Sequence, residues 1–222
     1  MNYVALLGHP VSHSLSPRMQ NAAFAARGLD WDYTAFDVED VVAAVGALRV
    51  LGFAGANVTI PHKLAVVAAC DEADGDAVNT LVFRDGRVIG SNTDTEILAG
   101  VEATSACVIG AGGAARALAP VLPADTRIYT RSGEWPPDAT GCDLIVNATP
   151  VREELLVEPA FGQTVVDLAY GQGETALVTA ALAAGCTVID GREALVRQGA
   201  ASFRLWTGLE PPLEAMRAAV GI

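Results

Sequence analysis

The stretch Val108-Ile109-Gly110-Ala111-Gly112-Gly113-Ala114-Ala115-Arg116 decides the fold. An apolar run, Cys107–Ile109, leads into the glycines, and a helical pattern follows from about Ala114 to Leu122. The result is a G-x-G-x-x-A fingerprint in a strand–turn–helix context. The first glycine permits the tight turn, the second lets the backbone approach a pyrophosphate, and the small third residue lets helix and strand close up. A helix N-terminus then faces the phosphate charge. Gly110, Ala111, Gly112, Gly113 and Ala114 are therefore candidate dinucleotide contacts.

About 20 residues on, a site for NAD places a carboxylate on the ribose 2′-hydroxyl. Here the next strand ends Tyr129-Thr130-Arg131-Ser132. An arginine flanked by hydroxyls suits a 2′-phosphate, so the expected cofactor is NADP, held by Thr130, Arg131 and Ser132. Only 11 residues separate Arg131 from Asp143, and two of them are proline. A parallel crossover needs about a dozen residues or more, usually as a helix. No standard crossover helix fits, and the strand after Arg131 is expected to become the sheet edge on that side. A thinned wall there implies a modest preference for NADP over NAD.

Outward from this unit, short apolar runs alternate with helical patterns. Downstream, strands are expected at Asp143–Asn147 and Thr164–Leu168, with helices at Glu174–Ala184, Arg192–Thr207 and Pro212–Val220. Upstream, strands are expected at Tyr3–Leu7, Trp31–Val38 and Ala56–Ile60. Helices are expected at Pro17–Arg27, capped by Ser16, at Val41–Leu51, and from Pro61 through Cys70. Asp85-Gly86 signals a hairpin between Ala77–Phe83 and Val88–Gly90. Strands alternating with helices imply an α/β fold with parallel sheets and βαβ crossovers in both halves.

With 51% hydrophobic and 18% charged residues, the 222-residue chain can bury a sizeable core. A net charge of −12 argues against nucleic acid and anionic lipid as partners. The apolar stretch Ala176–Ile189 is shorter than the roughly 20 residues of a membrane span. The N-terminus lacks the basic region of a signal peptide. Cys70, Cys107, Cys142 and Cys186 are scattered, so neither a disulfide framework nor a metal site is indicated, and a cytoplasmic location is the default.

Of the 14 basic residues, 13 are arginine and one, Lys63, is lysine. Lysine can release its proton and arginine cannot, which marks Lys63 as a candidate proton carrier. Polar clusters interrupt the apolar front half: Ser12–Ser16, Asn57–Lys63, Asn79-Thr80 and Ser91–Asp94. Asn57 and Thr59 lie two apart on an expected strand and point the same way. Four such clusters at strand ends suggest a pocket for a polyhydroxylated ligand.

These motifs together resemble the shikimate dehydrogenases over nearly the whole chain. The family's S-x-S-P matches Ser14–Pro17, N-V-T-x-P-x-K matches Asn57–Lys63, and G-A-V-N-T appears as Asp76–Thr80. N-T-D is Asn92–Asp94, G-A-G-G-A is Gly110–Ala114, and N-R-T appears as Thr130–Ser132. N-A-T-P is Asn147–Pro150, D-x-x-Y is Asp167–Tyr170, and L-V-x-Q is Leu195–Gln198.

The resemblance implies an NADP-dependent oxidoreductase interconverting 3-dehydroshikimate and shikimate in aromatic amino acid biosynthesis. It implies a catalytic pair, Lys63 and Asp94, beside the hydroxyl that is oxidised. Ser14, Ser16 and Tyr170 would meet the substrate carboxylate, while Asn57, Thr59, Asn79, Asp94 and Gln198 would meet the ring hydroxyls. Asn147, Ala148, Thr149 and Gly191 would join the cofactor contacts. Residues 1–97, with helices 201–222 returning to them, would form an N-terminal α/β substrate domain, and 98–200 a reduced Rossmann-like cofactor domain. The protein is expected to be a monomer or homodimer. The alternatives are a quinate/shikimate paralogue of broader specificity and a non-catalytic sensor of a shikimate-pathway ligand. The chain departs from the family pattern at Thr95, Ile97, Gly171-Gln172, Ala176 and Ala194, and after Pro150.

Overall fold

The computed structural model describes residues 1–222. The chain divides into two compact units, 1–96 with 195–222, and 97–194. Leu195–Ala200, expected with the second domain, thus group with the first unit.

The first unit is built on a six-stranded sheet in the order β2-β1-β3-β5-β6-β4. Its strands are β1 (Asn2–Gly8), β2 (Trp31–Asp37), β3 (Gly55–Val58), β4 (Glu72–Ala73), β5 (Thr80–Arg84) and β6 (Arg87–Ser91). The run Val4-Ala5-Leu6-Leu7 is apolar without alternation because both faces of β1 are covered. Val4 and Leu6 join one core with Phe24, Phe203 and Trp206; Ala5 and Leu7 join another with Val45 and Leu48. Helix α1 (Ser16–Ala26), α6 (Leu213–Val220) and the later turns of α5 (Gly191–Thr207) supply the first layer, and α2 (Val41–Val50) the second.

Three upstream expectations change. The sheet is mixed rather than parallel: β1, β2 and β3 are parallel, but β5 runs antiparallel to both β3 and β6. The expected two-residue turn Asp85-Gly86, with φ values of 53° and 74°, reverses the chain between β5 and β6. The helix expected from Pro61 to Cys70 is only a 3₁₀ turn, Ala65–Ala69, because the Lys63 carbonyl is taken by the Val78 N–H at 2.9 Å. Finally, Leu15 rather than Ser16 caps α1, and the Ser14 hydroxyl oxygen accepts from the Ser16 N–H at 3.2 Å.

The second unit is a five-stranded parallel sheet, order β11-β10-β9-β7-β8. Its strands are β7 (Ser105–Ile109), β8 (Asp125–Tyr129), β9 (Leu144–Asn147), β10 (Thr164–Asp167) and β11 (Thr187–Ile189). Alternate residues of β7 serve opposite cores: Ala106 and Val108 on one face, Cys107 and Ile109 on the other. α3 (Gly113–Leu118) is shorter than expected because Pro120, lacking an N–H, leaves only a 3₁₀ turn at Ala119–Val121. α4 (Ala176–Ala183) is capped by Thr175, whose hydroxyl oxygen accepts from the Val178 N–H at 3.1 Å.

The link from β8 to β9 holds neither helix nor strand, as its length implied. The edge expectation is corrected, however. The edge strand is β8, before Arg131, while β9, after it, lies inside between β7 and β10. β9 is wholly buried and apolar up to Asn147 at its end, whereas Ile128 of β8 is half exposed, which is the burial each position demands.

Candidate active site

In the first unit, strand ends bring a buried polar network together. Lys63 follows β3, and its Nζ donates to Asp94 Oδ2; the side chains are 13% and 8% exposed. Asp94 stands in the 3₁₀ turn Thr93–Leu98 directly after β6. Its other oxygen, Oδ1, accepts from Asn79 Nδ2 at 2.7 Å. Asn79 Oδ1 accepts from the Thr93 backbone N–H at 2.8 Å, which fixes the orientation of the amide. Lys63 and Asp94, expected as a pair, and Asn79, expected on the ring hydroxyls, thus form one cluster.

Asn57 lies behind them. Its Nδ2 donates within reach of the Asn79 carbonyl, Thr80 Oγ1 and Ser202 Oγ at 2.9–3.1 Å, and its Oδ1 accepts from the Tyr33 hydroxyl at 2.9 Å. Both Asn57 N–H groups and its oxygen thus find partners within the protein. Thr59 is not its strand neighbour, because β3 ends at Val58. Its methyl instead fills the space that a Cβ at Gly8 would enter. Ser14 and Ser16 open α1, and Gln198 Nε2 donates to its own helix at the Leu195 carbonyl, 2.8 Å away.

The sequence reading missed Tyr33 and Ser202. Ser202 stands between apolar residues, the one signal available for it, whereas Tyr33 lies between Asp32 and Thr34 and carries none. Ser202 is fully buried and donates to the Gln198 carbonyl at 3.1 Å, tying α5 to β3 and β5.

In the second unit, Gly110 has φ +105°, and a Cβ there would come within 3.1–3.3 Å of Thr149 and Ala148. Gly112 has φ −78°, and a Cβ on it would meet nothing within 4 Å. Neither backbone strain nor crowding within the protein accounts for glycine at 112. An approaching pyrophosphate would account for it, so the turn fits a dinucleotide such as NADP. Gly113 and Ala114 form the first turn of α3, with Ala111 between the two key glycines.

Asn147 shapes the adjoining loop. Its Oδ1 accepts from the Thr149 N–H at 3.0 Å and the Thr149 hydroxyl at 2.7 Å, and its Nδ2 donates to Asp167 Oδ1 at 2.8 Å. Burial pushes the Asp167 carboxyl above its ordinary value, opposed by bonds from Thr175, Ala169 and Asn147. Gly191 is required by close approach: a Cβ would lie 2.6 Å from the Ala169 carbonyl oxygen. Tyr170 is half-buried in the following loop, whose carbonyls at Gly171 and Gln172 accept from Arg192 and Arg152.

Thr130, Arg131 and Ser132 leave the end of β8. Arg131 Nη2 donates to Glu154 Oε2 at 2.5 Å, and its guanidinium lies 5.2 Å from the Trp135 ring centre. No group of three or more His, Cys, Asp or Glu is placed to hold a metal ion, and no helix is long and apolar enough to cross a membrane.

Comparison with known proteins bears on this arrangement. The family model for the shikimate dehydrogenase substrate binding domain matches residues 6–81, and that for the shikimate 5'-dehydrogenase C-terminal domain matches 191–220. The shikimate dehydrogenase (NADP(+)) of Methanocaldococcus jannaschii is 36% identical, over 98% of this chain and 95% of its own. The chain belongs to the shikimate dehydrogenase family. A shikimate dehydrogenase crystal structure from Thermus thermophilus, in complex with NADP(H) and shikimate, superposes with a TM-score of 0.85. It is 34% identical, covering 99% of this chain and 98% of that one. A quinate dehydrogenase from Corynebacterium glutamicum in complex with NAD gives a TM-score of 0.84 at 27% identity, covering 99% and 98%. This shikimate dehydrogenase family member is compact: the 268 aligned positions with the M. jannaschii protein exceed its 222 residues, so at least 46 have no counterpart here.

Proposed function

We propose that the protein is an NADP-dependent shikimate dehydrogenase that interconverts 3-dehydroshikimate and shikimate. The observation that carries this is the buried Lys63–Asp94–Asn79 cluster, built on the one lysine of the chain. NADP(H), when bound, supplies the hydride acceptor or donor.

The chain's own residues supply the proton chemistry and the fit. Oxidising a secondary alcohol removes a hydride from carbon and a proton from oxygen, and the proton needs a positioned acceptor. Lys63 Nζ takes that proton in the oxidative direction and returns it to the carbonyl oxygen in reduction. Asp94 holds Lys63 in place and offers its carboxylate to a second substrate hydroxyl. Asn79, with one Nδ2 hydrogen on Asp94 and its oxygen fixed by Thr93, has its second Nδ2 hydrogen for substrate. Ser14, Ser16, Thr59 and Gln198 bind substrate without taking part in the chemistry. Gly110–Ala114, Asn147–Thr149 and Gly191 shape the turn for the dinucleotide, and Arg131 meets the 2′-phosphate.

The test is reduction of NADP by the purified protein with shikimate, with arms that replace shikimate by quinate and NADP by NAD. Shikimate with NADP is expected to give the highest kcat/KM. Faster turnover of quinate would move the reading to a quinate dehydrogenase. Binding of shikimate without turnover on either nucleotide would move it to a sensor.

A further inference from the structure

The cation assigned to the 2′-phosphate already has an anionic partner. Arg131 and Glu154 form an ion pair whose side chains are 63% and 55% exposed. The Arg131 guanidinium directs an N–H edge at the carboxylate and sits near the Trp135 ring. A guanidinium bonds oxyanions with its edge and stacks rings on its face, so a phosphate arriving at the paired edge meets Glu154 already there. Arg152, two residues before Glu154, is committed to the Gln172 and Gly173 carbonyls at 2.7 and 2.9 Å, and Glu153 between them is almost fully exposed.

We propose that Glu154 is a specificity-determining residue for nucleotide choice, occupying on Arg131 the place a 2′-phosphate takes. NADP binds by displacing the carboxylate, whereas NAD, with a 2′-hydroxyl, leaves the pair intact or donates to it. Glu154 therefore narrows the NADP preference that Arg131 creates. The displacement is small in free energy because the pair is exposed and screened. This inference rests on the reading of Arg131 as the 2′-phosphate contact.

Calorimetric titration of NADP, NAD and 2′-AMP into the wild type, Glu154→Gln and Arg131→Ala separates the two. In Glu154→Gln, NADP and 2′-AMP are expected to bind about 2–5-fold more tightly, with NAD unchanged or weaker. The gain shrinks as salt is raised from about 0.05 M to 0.5 M, since the Debye length shortens. In Arg131→Ala, NADP and 2′-AMP are expected to weaken at least about tenfold. If Arg131→Ala binds NADP as the wild type does, the reading of Arg131 fails. If that variant weakens NADP but Glu154→Gln leaves it unchanged or weaker, the proposal for Glu154 alone is overturned.

Discussion

Replacing Lys63 by alanine removes the proposed proton carrier and one half of a buried ion pair. Asp94 keeps its 2.7 Å bond from Asn79 but loses its charge partner in a site where its side chain is 8% exposed. Breaking a buried pair from one side costs about 3–5 kcal/mol, and the surviving Asn79 bond puts this case near 3. The rate effect is separate. Loss of a positioned acid–base group lowers kcat by about 10²–10⁴, equivalent to roughly 3–5 kcal/mol in the barrier. Lys63→Arg separates the two effects, because it can pair with Asp94 yet cannot release a proton. The assay is NADPH oxidation with 3-dehydroshikimate, alongside thermal unfolding and calorimetry with shikimate. Alanine is expected to lower both stability and kcat; arginine is expected to recover stability and leave kcat low. A Lys63→Arg enzyme with near-normal kcat would refute the proton-carrier role.

Three more outcomes are expected. Gln198→Ala or Ser14→Ala removes a proposed substrate contact outside the proton path, so steady-state kinetics should show KM rising by the equivalent of about 1–3 kcal/mol with kcat little changed; a fall in kcat with KM unmoved contradicts this. Gly191→Ala forces a Cβ to 2.6 Å from the Ala169 carbonyl oxygen and should lower unfolding stability by about 1–3 kcal/mol; an unchanged melting temperature contradicts the close approach. Asp167, whose carboxyl is raised by burial, gives a pH signature: the stability linked to its proton is present below about 3.9 and lost as pH rises through its folded value. Asp167→Asn removes that loss while its oxygen still accepts from Asn147 and Ala169, so its melting temperature relative to the wild type should rise across this window; a pH-independent difference contradicts it.

Local signals carried much of this architecture. Gly110–Ala114 marked the parallel unit because Gly110 and Gly112 answer a backbone and a ligand demand, and Asp85-Gly86 marked the hairpin because two positive φ values in succession suit few other residue pairs. What was not legible depends on partners distant in sequence. The segment after Pro61 has helical composition, but the Val78 N–H, on the way to β5, takes the Lys63 carbonyl. Periodicity identifies β8 and β9 as strands and says nothing of their order, so the edge was assigned to the wrong one. Thr187–Ile189 is too short to show a period. The motif singled out Asn57, but only the structure shows that Tyr33, Thr80, Ser202 and the Asn79 carbonyl use its amide. Lys63, Asp94 and Asn79 were each legible as polar residues at strand ends, and their convergence follows from the β3–β5–β6 register.

The central claim is most directly tested by following the transferred hydrogen. The purified protein is incubated with 3-dehydroshikimate and NADPH carrying deuterium at both positions of nicotinamide C4, and the product is analysed by mass spectrometry. One deuterium per molecule of shikimate, on the carbon that bears the new hydroxyl, is the expected result. Shikimate formed without deuterium, or no shikimate despite measurable binding of both ligands, would contradict the account.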